Sequence, residues 1–178
     1  MDLSEHRRVI YTPRLKIRAL ESKDTDLLVD WRNQDYIREV SRQSKKITHS
    51  EHEKWFKGSR ERRLDFVLCD ITSDTPIGLI SFERSEKSVM FDGYYEMSKY
   101  IGDKNYLGKG LAFEGCEALL SVLEQVESIN GVYAVTKSNN RSNIGLNLKL
   151  GFVIDDPAVN TNFQKSNLIL MKKVFHSR

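Results

Sequence analysis

Apolar and polar residues alternate with different periods along the chain, and the changes of period predict alternating strands and helices. In residues 14–18, apolar residues alternate with cations, which is typical of a strand with one buried face. A helical period follows from about Lys23, with Ser22 as its candidate cap. A second helix is predicted to begin at Thr48 or Ser50. The first third of the chain therefore predicts one strand followed by two helices.

The rest of the chain predicts a sheet with two further helices. Strands are predicted at residues 64–71, 77–82, 94–101, 132–136, 152–154 and 168–174. The first two of these strands should form a hairpin, because the residues between them, SDTP, favour a turn. An amphipathic helix is predicted from Leu111 to about Val126, and another over residues 141–150, with Gly151 as its end. The final order of strand, helix, strand, helix and strand predicts an α/β domain.

Composition limits the class of protein. The chain has 178 residues, of which 39% are hydrophobic, and it shows no repeat or linker, so one domain with a full core is expected. Cys69 and Cys116 stand alone, without the spacing of a zinc site, which predicts no metal and a reducing compartment. No apolar stretch approaches ~18 residues, and the N-terminus is charged. These features predict a soluble, cytoplasmic protein without a membrane partner.

The charges favour a small-molecule partner over a nucleic acid. The 28 Lys and Arg residues against 25 Asp and Glu give a net charge of +3, and the two signs are interspersed. No nucleic-acid partner is therefore predicted. The densest basic segments, residues 38–46 and 57–63, are interpreted either as solvated helix ends or as a rim that attracts a phosphate-bearing partner.

A glycine loop joins the strand that ends at Ile101 to the helix that begins near Leu111. In this loop Gly108 and Gly110 flank Lys109. Free amides at a helix N-terminus bind anions, and glycine allows a pyrophosphate to approach the backbone closely. The spacing fits neither a P-loop nor a Rossmann fingerprint, so nucleoside triphosphates and NAD are not predicted. The loop therefore indicates another phosphate-bearing cofactor, or else it is an ordinary connection before a helix.

Three blocks of sequence resemble the GNAT acetyltransferase superfamily. Residues 105–112, NYLGKGLA, are similar to its acetyl-CoA loop, Gln/Arg-x-x-Gly-x-Gly/Ala. Residues 135–152 resemble the strand and helix signature of the family, with Asn140 on its asparagine and Asn143 on its usual serine. Residues 77–80, IGLI, match its IGxI strand. The resemblance covers about residues 14–174 and implies a single GNAT domain over residues 1–178. It also implies a mixed sheet of six to seven strands with a splayed central pair, flanked by about four helices.

The resemblance implies an N-acetyltransferase that moves the acetyl group of acetyl-CoA to a primary amine by direct attack in a ternary complex. The residues that it places against the coenzyme are Tyr100, Ile101, Leu107, Gly108, Lys109, Gly110, Leu111, Ala112, Asn140 and Asn143. Asn105 departs from the usual Gln or Arg, but the backbone amides of the loop remain. Asn147 stands where many relatives carry a tyrosine that protonates the departing thiolate. Another group or water must supply that proton, or the thiolate leaves as such.

Glu96 is the expected general base, because relatives often carry a carboxylate in the strand before the glycine loop. Burial on the inner face of the sheet would raise its pKa toward a useful value. The alternative is a solvated strand carboxylate. His52 competes for the role of base, although a helical histidine close to Trp55 in sequence is also explained by packing.

The first two helices carry the pattern WRN…R…EHxxWF, which is similar to N-acetyltransferases of nucleotide-linked amino sugars, the PseH-type enzymes. The acceptor-binding residues that this resemblance implies are Trp31, Arg32, Asn33, Arg38, His52 and Trp55. Arginines suit a diphosphate, and an aromatic ring suits a base. Alternatives are that both tryptophans are core residues, that the acceptor is the N-terminus of a ribosomal protein or another peptide, as in RimJ/RimL-type enzymes, or that the chain binds acyl-CoA without turnover. A homodimer is a further expectation.

Overall fold

The computed structural model describes residues 9–59, 61–84, 92–155 and 167–175. These residues form one eight-stranded sheet flanked by α-helices. The strands are β1 (Ile10–Tyr11), β2 (Leu15–Ala19), β3 (Arg63–Asp70), β4 (Pro76–Arg84), β5 (Tyr94–Ile101), β6 (Gly131–Lys137), β7 (Val153–Ile154) and β8 (Leu168–Val174). The helices are α1 (Thr25–Arg32), α2 (Asp35–Val40), α3 (His49–Ser59), α4 (Leu111–Leu123) and α5 (Arg141–Lys149).

The sheet is mixed and opens at its centre. Its strand order is β1-β2-β3-β4-β5-β6-β8-β7, and β5 and β6 form its one parallel pair among the described strands. They are in register only where Tyr94, Tyr95 and Glu96 face residues 131–133. Both strands continue beyond that point, β5 beside β4 and β6 beside β8, without pairing with each other. The predicted splayed pair is therefore confirmed, and the backbone edge of β5 that faces β6 is open after Glu96.

Alternation along β5 assigns its side chains to two different layers. Tyr95, Met97 and Ile101 belong to the core cluster that includes the buried residues of α4, such as Leu111 and Leu119. The other face of the sheet is covered by α1, α2 and α3 through a second, smaller cluster. Because successive strand side chains point to opposite faces, Glu96 and Tyr100 face this second layer. The two layers meet at the open edge between β5 and β6.

The structure differs from the sequence prediction in the number and length of elements. The sheet has eight strands instead of six to seven, because the two-residue β1 extends one edge. The segment between the first two predicted helices contains a further helix, α2, so five helices rather than four flank the sheet. The cap predicted at Ser22 is instead a capping box formed by Glu21 and Asp24 before a short 3-10 turn, and α4 ends at Leu123, three residues earlier than predicted. The predicted hairpin is confirmed as β3 and β4.

Candidate active site

A cleft of about 1680 Å³ opens where β5 and β6 diverge. One wall is formed by the glycine loop and the N-terminal turns of α4 and α5, and the other by α2, α3 and the loop between them. The cleft therefore lies at the carboxyl ends of the two parallel strands, a position at which open α/β sheets commonly bind ligands. The sequence predicted this position from the glycine loop.

The glycine loop has the conformation that a phosphate site requires. Gly108 and Gly110 have φ angles of 72° and 76°, in the left-handed region that side chains rarely adopt. Gly110 is the N-cap of α4, and the first amide in the helix with a backbone partner is that of Glu114, which donates to the Gly110 carbonyl at 3.1 Å. The preceding amides, from Leu111 to Phe113, belong to residues that line the cleft. These amides and the helix dipole would provide donors and positive potential to a pyrophosphate at this position.

Arg14 and Glu114 fix the loop from outside the sheet. The Arg14 Nε donates to Glu114 Oε2 at 2.6 Å, and the Arg14 guanidinium also donates to the Lys109 carbonyl at 2.8 Å. Thr12 donates its hydroxyl to the same carboxylate at 2.6 Å. Burial acts to raise the pKa of Glu114, but the hydrogen bonds from Thr12 and Arg14 outweigh it and lower that pKa, so the carboxylate stays charged. This clamp connects the start of β2 to the loop and was not predicted from the sequence.

The first turn of α5 forms the neighbouring part of the same wall. Asn140 caps the helix by accepting from the Asn143 amide at 3.2 Å, and the Asn143 side chain donates to the Thr136 hydroxyl at 3.0 Å. Both asparagines line the cleft, as do Tyr100, Ile101, Leu107 and Ala112. The Lys109 side chain is not among the lining residues and lies over the Tyr106 ring, 5.1 Å from its centroid. The loop can therefore bind phosphate through its backbone, without that side chain.

Glu96 lies in the cleft, on the side of α1, α2 and α3. Its carboxylate forms an ion pair with Arg42, and the two side chains are 19% and 48% exposed. Burial raises the pKa of Glu96, with Arg42 acting against this shift and Glu83 adding to it. A carboxyl group with a raised pKa that borders a cleft is suited to take and return a proton.

Three buried polar side chains face the cleft without hydrogen-bond partners among the described residues. They are His52, through both ring nitrogens, Ser81 and Tyr100, through their hydroxyls. Burial lowers the pKa of His52, so its imidazole is neutral at pH 7, and its ring packs 5.1 Å from that of Trp55. Buried polar groups are normally paired in folded proteins. The unpaired atoms themselves are shielded, so a molecule in the cleft would reach them only after a neighbouring side chain shifts.

Three of the residues predicted to bind the acceptor do not line the cleft, and this corrects the sequence prediction. Trp31 is only 5% exposed and packs on Gly102, so it is a core residue. The Asn33 side chain both donates to and accepts from the backbone of Ile47, at 2.8 Å each. Arg38 is bonded to Asp35 and to the carbonyl of residue 44. Arg32, His52 and Trp55 do line the cleft.

Comparisons with known proteins agree with this geometry. The sequence model described as "Acetyltransferase (GNAT) domain" matches residues 14–153. The chain belongs to the GNAT acetyltransferase family. No curated protein matches the sequence.

Solved structures share the fold of this acetyltransferase at low sequence identity. A RimL ribosomal L7/L12 alpha-N-protein acetyltransferase in complex with coenzyme A has a TM-score of 0.77 at 11% identity, over 94% of this chain and 97% of that one. A spermidine N-acetyltransferase from Vibrio cholerae, in complex with CoA and spermine, has a TM-score of 0.75 at 17% identity, over 92% and 97%. The aminoglycoside acetyltransferase AAC(6')-Ib, with coenzyme A, has a TM-score of 0.72 at 16% identity, over 90% and 94%.

The GNAT protein is an acetyl-CoA-dependent N-acetyltransferase, and its cleft has the parts that this reaction needs. The amides of the loop suit the pyrophosphate, and the open edge of β5 offers backbone groups to the pantetheine arm. Holding donor and acceptor together lowers the entropic part of the barrier, and oriented amides stabilise the developing oxyanion.

Within the described residues, no group of three or more His, Cys, Asp or Glu side chains is placed to hold a metal ion. No described helix is both long and apolar enough to cross a membrane.

Several polar residues in the cleft were not predicted as site residues from the sequence, and four of them bear on the chemistry. These four are Arg42, Ser81, Glu83 and Lys99. Ser81 interrupts the apolar run of β4, and this polar residue in a buried strand was a signal that the sequence offered. Arg42 lies in the basic segment 38–46, for which one interpretation was a rim that attracts a phosphate-bearing partner. Its pairing with a carboxylate 54 residues away is visible only in the structure.

Proposed function

We propose that this enzyme acetylates the amine of a nucleotide-linked amino sugar. The observation that carries the proposal is the ion pair of Arg42 with Glu96, because it connects an exposed cation to the expected base. A diphosphate bound in the cleft would compete for the Arg42 guanidinium, since arginine forms strong bidentate hydrogen bonds with phosphate. Glu96 would then be released as a carboxylate beside the amine. Binding of the correct acceptor would thus activate the base.

The surroundings of this ion pair support an acceptor with both anionic and hydroxyl groups. Arg32 lies on the same wall and donates to Ser41 at 2.8 Å, next to Arg42 in the chain. His52, Ser81 and Tyr100 carry unpaired polar atoms beside the cleft, which would suit the hydroxyl and amine groups of a sugar once neighbouring side chains shift. The Trp55 ring borders the cleft, although the Arg63 guanidinium already lies over it, 4.7 Å from its centroid.

In the proposed reaction, both reactants are bound before the acetyl group moves. The amine loses a proton to Glu96, directly or through water, and attacks the thioester carbon next to the open edge of β5. The raised pKa of Glu96 makes it a stronger base than an exposed glutamate.

A second candidate acceptor is the N-terminal amine of a protein. The shared fold with the RimL ribosomal L7/L12 alpha-N-protein acetyltransferase favours this candidate, at a TM-score of 0.77. A peptide would also reach the unpaired polar groups of the cleft. It brings no diphosphate, however, so Arg42 would stay paired with Glu96.

The test is the release of CoA from acetyl-CoA with three acceptors: a 4-amino-sugar nucleotide, the same amino sugar without its nucleotide, and a peptide with a free N-terminus. We expect the highest kcat/KM for the amino-sugar nucleotide.

The Arg42→Ala variant should lose about tenfold or more in kcat/KM with the amino-sugar nucleotide, the amount expected for one charge-assisted contact. The loss should be much smaller with the free amino sugar. Lys46→Ala is the control, because Lys46 is an exposed cation of the same loop outside the cleft. A higher kcat/KM for the peptide would reject the amino-sugar proposal, and no CoA release with any of the three would reject both candidate acceptors.

A further inference from the structure

Lys99 is a partly buried cation at the open edge of the sheet. It lies on β5 three residues after the last pair with β6, and it borders the cleft. Its Nζ donates to the Asn147 side-chain oxygen at 2.6 Å, and Asn147 is 0% exposed on α5. This asparagine occupies the position at which the family resemblance places a tyrosine acid. Lys99 therefore brings a proton-bearing group to the place where the expected acid is missing.

The charge of Lys99 is not matched by a carboxylate among the described residues. Its hydrogen-bond partner Asn147 is neutral, and Ile80, its neighbour on β4, is apolar. The titratable group that faces it is the Cys116 thiol of α4, and burial raises the pKa of that thiol to about 11, so it too is neutral. Burial lowers the pKa of Lys99, because a desolvated ammonium is disfavoured. The proton on Lys99 is therefore more readily released than that of an exposed lysine.

Lys99 and Glu96 lie on opposite faces of the same strand. The strand period places Lys99 with Tyr95, Met97 and Ile101, toward α4 and α5, whereas Glu96 faces α1, α2 and α3. An acetyl transfer needs a proton acceptor on the side of the attacking amine and a proton donor on the side of the leaving sulfur. The two side chains are placed on these two sides of the open edge.

We propose that Lys99 protonates the coenzyme A thiolate as it leaves. The amine nitrogen bonds to the acetyl carbon, the carbon–sulfur bond breaks, and its electron pair stays on sulfur. The sulfur takes one proton from Lys99 Nζ, while the amine gives one proton to Glu96. The products are the amide and the free thiol, and exchange with water returns Lys99 and Glu96 to their starting states without net change in protons. This step rests on acetyl transfer from acetyl-CoA and not on the identity of the amine.

The first test compares Lys99→Met and Lys99→Arg with Lys16→Met, a control lysine on β2 outside the cleft. With the 4-amino-sugar nucleotide as acceptor, kcat should fall about 10²-fold in both Lys99 variants, the usual effect of losing a general acid. The KM for acetyl-CoA should change by no more than about threefold. Arginine keeps the charge but holds its proton too tightly to donate it. A Lys99→Arg variant with the wild-type kcat would therefore overturn the proposal.

The pH profile provides a readout that a structural role would not change. In the wild type, kcat should fall at high pH, as Lys99 loses its proton. In Asn147→Asp, the added carboxylate should raise the pKa of Lys99 and move this fall to higher pH. A descending limb that stays unchanged in Lys99→Met would assign it to another group and would overturn the proposal.

A second test needs no acceptor and so separates this inference from the proposed function. The thiol of bound CoA is titrated through the ultraviolet absorbance of its thiolate. In the wild type and in Lys99→Arg, the thiolate should form below the ordinary pKa of ~8.5, because a cation lies next to the sulfur. In Lys99→Met it should form at higher pH. Identical titrations in all three proteins would show that Lys99 does not reach the sulfur, whatever amine the enzyme acetylates.

Discussion

At the scale of single residues, the site depends on a few side chains whose surroundings change their chemistry. Glu96 is partly buried and paired with Arg42, so its proton affinity depends on what else occupies the cleft. Gly108 and Gly110 contribute by having no side chain, because their backbone conformation and the space beside them suit a bound anion. Each of these features can be altered by one substitution.

Glu96→Gln should lower kcat about 10²-fold at neutral pH, as expected for the loss of a general base. The loss should shrink at high pH, where more of the amine is already unprotonated. In the wild type, kcat/KM should fall as the pH drops through the pKa of Glu96, which lies above the ordinary glutamate value because of burial. In Glu83→Gln this acid limb should move to lower pH, because Glu83 helps to raise that pKa. An unchanged rate in Glu96→Gln would exclude Glu96 as the base.

Gly108→Ala tests the loop. The new Cβ has no heavy atom within 4 Å, so it would stand in the open space beside the loop, where a pyrophosphate is expected. We expect CoA binding, measured by calorimetry, to weaken about tenfold or more. Gly151→Ala is the control for backbone strain, because its φ is 85° and it lies after α5, away from the cleft; its new Cβ meets only the flexible end of Lys173, at 3.0 Å. Equal CoA affinity in both variants would remove Gly108 from the coenzyme site.

At the scale of elements, short connections hold the helices in place over the sheet. The Arg18 guanidinium at the end of β2 forms two hydrogen bonds of 2.8 Å with Asp24, which precedes α1. Asp24 also accepts from the Glu21 amide at 2.9 Å. Burial acts to raise the pKa of Asp24, but these hydrogen bonds outweigh it and lower that pKa. The pair therefore fixes the start of the helical layer that forms one wall of the cleft.

Asp24→Asn should lower the free energy of unfolding by about 3 kcal/mol, because it leaves a largely buried arginine without its charged partner. Asp74→Asn is the control: the Asp74 side chain is 63% exposed in its pair with Lys16, and little change is expected. Because the pKa of Asp24 is lowered by folding, its stabilisation is present at neutral pH and is lost as the pH falls toward that pKa. The free energies of unfolding of the wild type and Asp24→Asn, measured by chemical denaturation, should therefore differ less below pH ~4 than at pH 7. A difference that does not depend on pH would contradict this account.

At the scale of the whole molecule, the opening between β5 and β6 creates one cleft between two layers. The α4 and α5 side offers helix N-termini and Lys99, and the α1, α2 and α3 side offers Glu96 and the unpaired groups of His52 and Tyr100. The donor and the acceptor are therefore proposed to enter from opposite layers and to meet at the open edge of β5. Proton donor and proton acceptor would likewise stand on opposite faces of one strand.

The sequence was sufficient for features that repeat or that depend on local geometry. Alternation predicted the strands, and the two glycines predicted the loop before α4. The sequence was insufficient where contacts join distant segments. Trp31 and Trp55 have the same helical setting, yet Trp31 is in the core and Trp55 borders the cleft, because this depends on what packs against each helix. The pairs of Arg42 with Glu96 and of Lys99 with Asn147 span 54 and 48 residues, so no local pattern predicts them.

The most direct test of the account is a crystal structure of the enzyme with acetyl-CoA. We predict that the pyrophosphate oxygens lie about 3 Å from backbone nitrogens of residues 107–112, with the thioester at the open edge of β5. A coenzyme bound elsewhere, or a pyrophosphate that makes no contact with these amides, would contradict the account.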